Sequence, residues 1–559
     1  MRRAAWMLLL CLSVLAAGPL PGQEADPGAT QARRHDQVAA WMAAGYEALE
    51  AWDYDRAREI SAKLNDAAAS PPADQKLQAK AAYFSGRLHF YTGEYEESRK
   101  DLERYEKLDQ GNIHPEFTQF LGQVRFLTDL WQDRREIKSE HFLVRVKPGK
   151  DLLLVRPVLE AMEKAWPVLT HELGVTPPPP VLIELYPDFP AFSQATGLSE
   201  TDVRTSGTVA VCKYMRFMVT SPRALAQGYD FQNSVAHEFV HYLIYLRNGR
   251  ACPIWLHEGI AKYYEPRWRG DPGGTLPPIS ESLLATALRT DTLVSYERMN
   301  PTFAKLDSPR QGQLAFAEVA TMVGYIIHTY GQDGLFRLLD ELKTGNAYPV
   351  AVERALGKPF PQLFEDWKTY VRGQHYQEIP GFDVVELEIK SGESAGDEEE
   401  DAISEADIKE NEAWKYVRLG DLLRDRGRIE PALIEYEKAK SLLPVSVRLL
   451  NKLGLAYTLA GNYAAALKPL EEAGAYFPGV VTTYVNLGRA YAGKGDFVKA
   501  IANYEHALTI NPFDPTVYNT LLQLYEKTRQ PDRLKDTQDR LALLEGKTEN
   551  FHFMEERKP

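Results

Sequence analysis

The sequence predicts an α+β domain carried between all-α helical regions. Three observations support this. A glycine, an alanine and a proline recur three times near the C-terminus at a spacing of 34 residues. A looser version of the pattern stands near the N-terminus. Between the two, short apolar runs with strand texture give way to long helical text, the order expected of an α+β domain. The 559 residues leave room for three or four domains of about 150 residues each. Hydrophobic residues make up 44% and charged residues 26%, which excludes a wholly disordered chain. A net charge of -13 argues against nucleic-acid partners, because phosphate binding needs clustered Lys and Arg. Three cysteines exclude a disulfide-dense scaffold.

The chain begins with Arg2 and Arg3, an apolar run from Ala4 to Ala17, and then small residues and prolines. This is the layout of a secretory signal peptide, expected over residues 1–23. The run falls short of the about 20 apolar residues that a membrane span needs. Cys11 inside it lacks the context of a lipidated cysteine. The mature chain is expected to be exported, to the bacterial periplasm or the extracellular space, with no transmembrane span and a charge of -15 once both arginines are gone. Cys212 and Cys252 remain. In an oxidising compartment they could pair, constraining the unfolded chain by about 3–4 kcal/mol, or stay as two buried thiols.

Residues 36–130 read as helical hairpins. Gly45 and Ala57 are twelve apart, as are Gly86 and Ser98. Strands are expected at Phe142–Val146, at Val181–Tyr186 and from Thr208 to Cys212, the last continuing through Phe217 to Val219. The stretch from Val209 to Val219 is either an edge strand open to an added peptide strand or a fully paired interior strand. Helical text runs from about Phe231 to Tyr376, with Gly331 and Gly345 as stops. Residues 391–412 are acidic and small, a solvated linker. Residues 413–546 hold the regular repeat. Gly420, Gly454 and Gly488 are spaced by 34, as are Ala432, Ala466 and Ala500, and Pro444, Pro478 and Pro512. Glycine and alanine suit a close crossing of paired helices, and proline ends the second helix. This set resembles the tetratricopeptide repeat (TPR). A fourth unit around Tyr518, Leu521 and Tyr525 serves as a cap.

The chemistry lies in His237-Glu238-Phe239-Val240-His241. On a helix, residues four apart share a face, so His237 and His241 can aim two imidazoles at one cation. A catalytic zinc needs a third protein ligand and an open position. Glu258 follows His241 by 17 residues, within Pro253-Ile254-Trp255-Leu256-His257-Glu258-Gly259-Ile260-Ala261. That spacing lets the chain leave one helix, turn at Asn248-Gly249 and return on a second. His257 and Glu258 diverge by about 100° on a helix, so both do not bind one ion easily. Glu265, two turns beyond Glu258, is too far to share the ion and faces either solvent or the ligands' outer partners.

The two halves together resemble the gluzincin clan, and in particular the peptidase MA-like family. The resemblance implies a zincin-like α+β metallopeptidase domain over residues 137–380, with all-α TPR solenoid regions on both sides. It implies Zn2+ held by His237, His241 and Glu258, with Glu238 as general base. Ser139-Glu140-His141-Phe142, Ser206-Gly207-Thr208-Val209, Ser221-Pro222-Arg223 and Ala315-Phe316-Ala317-Glu318 are similar to flanking segments of that family, with Phe316 where tyrosine often stands. Tyr330-Gly331, Ala355-Leu356-Gly357 and Trp367 resemble its helical tail. The metzincin pattern is absent, because the third residue after His241 is Ile244.

The expected activity is hydrolysis of peptide bonds by an exported zinc metallopeptidase, its repeats binding a protein substrate or partner. A second electrophile is expected among Tyr263, Tyr264 and His257. Two other readings use the same residues. One is a TPR scaffold of a cell-envelope complex with a non-proteolytic zinc domain, for which Glu238 would have no use. The other is hydrolysis of a different bond, such as a peptidoglycan amide.

Overall fold

The computed structural model describes residues 27–71, 74–379, 381–382, 389 and 411–548. The expected signal peptide, and the acidic linker up to residue 410, lie outside the described residues. By internal packing the chain divides into residues 1–121 and 122–559. No helix among the described residues is long and apolar enough to cross a membrane. The structure is mostly helical, with one small sheet.

In the first unit the helices Pro27–Glu50 and Tyr54–Ala69 form one hairpin, and Gln75–Thr92 and Tyr95–Leu108 another. The glycine and small-residue offset read from the sequence has a direct physical basis here. A Cβ at Gly86 would meet Leu102 at 2.7 Å. The Ser98 hydroxyl donates to Gly86 O at 2.7 Å, joining the two helices at their crossing.

The sheet in the second unit has five strands: β1 (Arg135–Lys138), β2 (Phe142–Val146), β3 (Val181–Tyr186), β4 (Ala210–Lys213) and β5 (Arg216–Thr220). Their order is β1-β2-β3-β5-β4, with β2, β3 and β5 parallel and the two outer strands antiparallel. The expected single run through Val219 is corrected to a hairpin. It turns at Tyr214 and Met215, both in the left-handed region at φ 57°. β4 is therefore an edge strand and β5 an interior one.

The inward face of the sheet carries Phe142, Val144, Ile183, Leu185, Phe217 and Val219, all buried. It packs on the helices Leu152–Leu173 and Phe231–Asn248, where Trp166 and Phe239 stack at 5.6 Å. The other face buries charge. Glu184 lies 2.8 Å from Arg145 and 3.2 Å from Arg216, and accepts from the Tyr186 hydroxyl at 2.8 Å.

The C-terminal helical pairs follow the 34-residue period from Ala413–Asp425 to Pro531–Leu544. Ala432, Ala466 and Ala500 are fully buried. A Cβ at Gly420, Gly454 or Gly488 would collide with Tyr436, Leu470 or Tyr504 of the paired helix. The turns between repeats lean on the sheet-containing domain. Val445, Phe477, Val480 and Tyr518 belong to the same apolar core as Phe239 and Trp255.

Candidate metal centre

The helix Phe231–Asn248 is set by its apolar face and by its ends. Val235, Phe239, Val240 and Leu243 are buried in the core. Asp230 caps the start, accepting from Asn233 N at 3.1 Å, and pairs with Arg269. The segment leading into it is tied down by Asp151, which accepts from Ser221 Oγ at 2.6 Å and Arg223 Nη2 at 2.8 Å. His237 and His241 emerge on one face, their ring centroids 4.6 Å apart.

The second helix, Ile254–Tyr264, returns against the first after Gly249 ends it. Trp255, Leu256, Ile260 and Ala261 are fully buried. Gly259 touches the long helix Pro309–Lys343, where a Cβ would sit 2.5 Å from Val319 O. Only glycine permits that approach, and it turns Glu258 toward the histidines. Glu258 Oε2 lies 3.4 Å from His237 Nε2 and 3.6 Å from His241 Nε2.

These three residues offer donor atoms within 4.8 Å of one another. The residues fit a zinc ion. Tetrahedral N and O ligands about 2.0–2.1 Å from zinc stand about 3.4 Å apart, close to the two spacings found. The second donor group, Glu140, His141 and Glu163, is satisfied from within, since Glu163 already accepts from His141 Nδ1 at 2.7 Å and His141 N at 2.9 Å.

Glu265 is half-buried beside the site and accepts from His237 Nδ1 at 2.6 Å, which places the ring's other nitrogen toward Glu258. Lys262 Nζ lies 3.2 Å from the other Glu265 oxygen. Burial works against a charged His237, but Glu258 and Glu265 outweigh it and raise its pKa to about 10. Burial also opposes ionised Glu258, yet His241 and His237 hold it well below the carboxylate range. Glu265 is lowered despite burial, by Lys262 and His237.

Glu238 is 5% exposed and accepts from the Cys212 main-chain N–H of β4 at 2.5 Å. Burial raises its pKa, with the two histidines opposing. Such a carboxylate is a stronger base than an exposed one.

His257 stacks on His241 at 4.4 Å and lies outside the three-donor group. Burial and the His241 charge push its pKa down to about 3, so it is neutral. Tyr264 is buried and donates to Gln332 Oε1 at 2.6 Å, which removes it from the candidate electrophiles. Tyr263 is partly exposed and packs by Gly273 and Gly274. Cys212 and Cys252 are free thiols. The sequence alone does not single out Glu265 or Asp151. Glu265 shares a helix face with Glu258, a signal that was available; Asp151 pairs across 70 residues and gave none.

The Peptidase MA superfamily model matches residues 162–373, a stretch that includes the helices of His237, His241 and Glu258. The tetratricopeptide repeat model matches residues 481–514. Solved structures with some likeness include the MamA protein, at 24% identity over 27% of this chain and 82% of that one, with a TM-score of 0.24. The APC/C hetero-tetramer Cut9-Hcn1 is 14% identical over 93% and 95%, with a TM-score of 0.25. Yeast Tom70 is 12% identical over 90% and 91%, with a TM-score of 0.21. Scores at this level carry no argument. A comparison with curated proteins finds no match.

Proposed function

We propose that this chain is a zinc-dependent peptidase with a zincin-like domain, exported by its first 23 residues to the periplasm or beyond. The observation that carries the reading is the three-donor group of His237, His241 and Glu258, with Glu238 beside it on the same helix. Zinc bound there would acidify a water and polarise the scissile carbonyl.

The chain's own residues divide the remaining work. Glu238 takes the proton of the attacking water on its carboxylate and hands it to the departing amine. Glu265 keeps the Nδ1 proton on His237 and so fixes which nitrogen faces the ion. His257, neutral and stacked, walls one side of His241. The open edge of β4 offers main-chain groups to an extended peptide, which favours peptide over small-molecule substrates. The TPR pairs supply a surface for a protein substrate or partner.

The test is cleavage of a diverse peptide library by the full chain and by its Glu238→Ala variant. Products formed only by wild type, and lost with a chelator, support the reading. Identical outputs from the two proteins refute it.

A further inference from the structure

β4 ends the sheet, so one side of its main chain faces no other strand among the described residues, and the direction of each residue follows from the register. Lys213 pairs with Arg216 across the two-residue turn, and Thr220 N donates to Val209 O at 3.0 Å. In an antiparallel ladder alternate residues turn both main-chain groups toward the partner. Residues 209, 211 and 213 therefore face β5, while Ala210 and Cys212 face the open edge. The Cys212 N–H is one of two edge donors that β4 has. It is already taken, at 2.5 Å, by Glu238.

We propose that Glu238 and an incoming peptide compete for this one donor. An extended peptide pairing with β4 needs the Cys212 N–H for its own carbonyl. Filling the edge displaces the Glu238 carboxylate and frees it for the proton transfer described above. With the edge empty, the carboxylate stays tied to the strand, and a charge at an open edge also discourages pairing with other chains. Substrate and base are thus coupled through Cys212, whose main chain acts as a positioning group. The inference rests on the peptidase reading only for what the released carboxylate then does.

The geometry explains why Cys212 can be tested without destroying the sheet. Its N–H points away from β5, so proline removes the donor and leaves the ladder intact. Alanine keeps the donor and removes only the thiol.

The experiment uses full-length, metal-free protein, in which no hydrolysis interferes. The probe is a random library of N-acetylated, C-amidated nonapeptides passed over immobilised wild type, Glu238→Ala, Cys212→Ala and Glu238→Ala/Cys212→Pro. Glu238→Ala is expected to retain roughly tenfold more peptide than wild type, the size of one charge-assisted hydrogen bond. The double variant is expected to lose that gain, and Cys212→Ala to match wild type. Equal retention by wild type and Glu238→Ala, including none by either, overturns the proposal. So does a gain that survives the proline. Should the double variant not fold, hydrogen exchange decides: the library must slow exchange of the Cys212 amide in Glu238→Ala, and no slowing there overturns the proposal. Cleavage by zinc-loaded wild type is scored separately. Retention as expected without cleavage refutes the peptidase reading and leaves the shared donor standing.

Discussion

Glu265 Oε2 stands 2.6 Å from His237 Nδ1, so one imidazole of the three-donor group is oriented by an acid outside that group. The pair ties the His237 helix to the end of the Glu258 helix at a second point, seven residues beyond Glu258. Glu265→Ala is expected to weaken zinc binding by about 10–100-fold, because nothing then fixes the tautomer of His237. Glu265→Gln, which keeps an acceptor, should fall between. Competition with a chromophoric chelator gives the affinities directly. Wild-type affinity in the alanine variant would show that His237 is aimed by something else.

Glu258 and Glu238 are both acids near the histidines, yet their removal should have opposite signatures. Glu258→Ala takes away one of three donors and should leave the purified protein with markedly less zinc. Glu238→Ala should keep its zinc and lose about 10²–10⁴ in turnover, the usual contribution of a positioned base. Metal analysis beside peptide cleavage separates the two. Full zinc content in Glu258→Ala would strike it from the ligands.

Zinc binding should also be sensitive to acid. Glu258 and Glu265 raise the His237 pKa to about 10 against the effect of burial, so at neutral pH the metal-free ring carries a proton. That proton must leave when Nε2 binds a metal. Zinc affinity is therefore expected to rise about tenfold per pH unit between about pH 6 and 8. Titrations at three pH values measure the slope. A slope near zero would mean that His237 is already neutral.

The three-donor group of His237, His241 and Glu258 was legible because its parts are local. Two histidines one helical turn apart and a Trp-Leu-x-Glu-Gly helix announce themselves within short windows, and Gly259 has a visible reason in its contact with Val319. The repeats were legible for a similar reason, since each glycine is fixed by a partner 16 residues on within its own hairpin. The β4–β5 hairpin was not. Its turn uses Tyr214 and Met215 in the left-handed region, where Asn-Gly would have signalled the reversal. β1 was missed because Arg135–Lys138 is mostly exposed and lacks an apolar alternation. Glu184 is buried against Arg145 and Arg216, which come from two other strands. Non-local pairings of this kind leave no periodic trace.

Glu318 offers a stability test independent of metal. It is fully buried, accepts from Val294 N at 2.9 Å, and its second oxygen has no hydrogen-bond partner among the described residues. Burial raises its pKa well above the carboxylate range, with the Val294 N–H opposing. Above about pH 4.5 the unfolded chain ionises this group while the folded chain keeps the proton. The unfolded state then binds fewer protons, so stability falls with pH, by about 1.4 kcal/mol per unit until the folded pKa is reached. Glu318→Gln removes that loss. Melting temperatures of metal-free wild type and variant should diverge from pH 5 to 8 in favour of the variant. Parallel curves would show that Glu318 is ionised in the folded protein.

The last prediction concerns the junction between the repeats and the ligand helix. Gly228 adopts φ 71°, and a Cβ there would lie 2.5 Å from Ile510 O and 2.9 Å from Asn511 Cβ. The next residue donates from Tyr229 N to Ile510 O at 3.1 Å, and Asp230 then caps the His237 helix. Arg156 and Asp536, 2.8 Å apart, hold the same junction from another side. Gly228→Ala must therefore adopt a disfavoured backbone conformation and push the repeat turn away at once. It is expected to cost about 1–3 kcal/mol. Hydrogen exchange should rise together in residues 224–232 and 505–514, because the two segments share one main-chain bond. Faster exchange in the first segment alone would mean that only local strain is felt. Faster exchange in both would establish that the repeat array holds the start of the His237 helix.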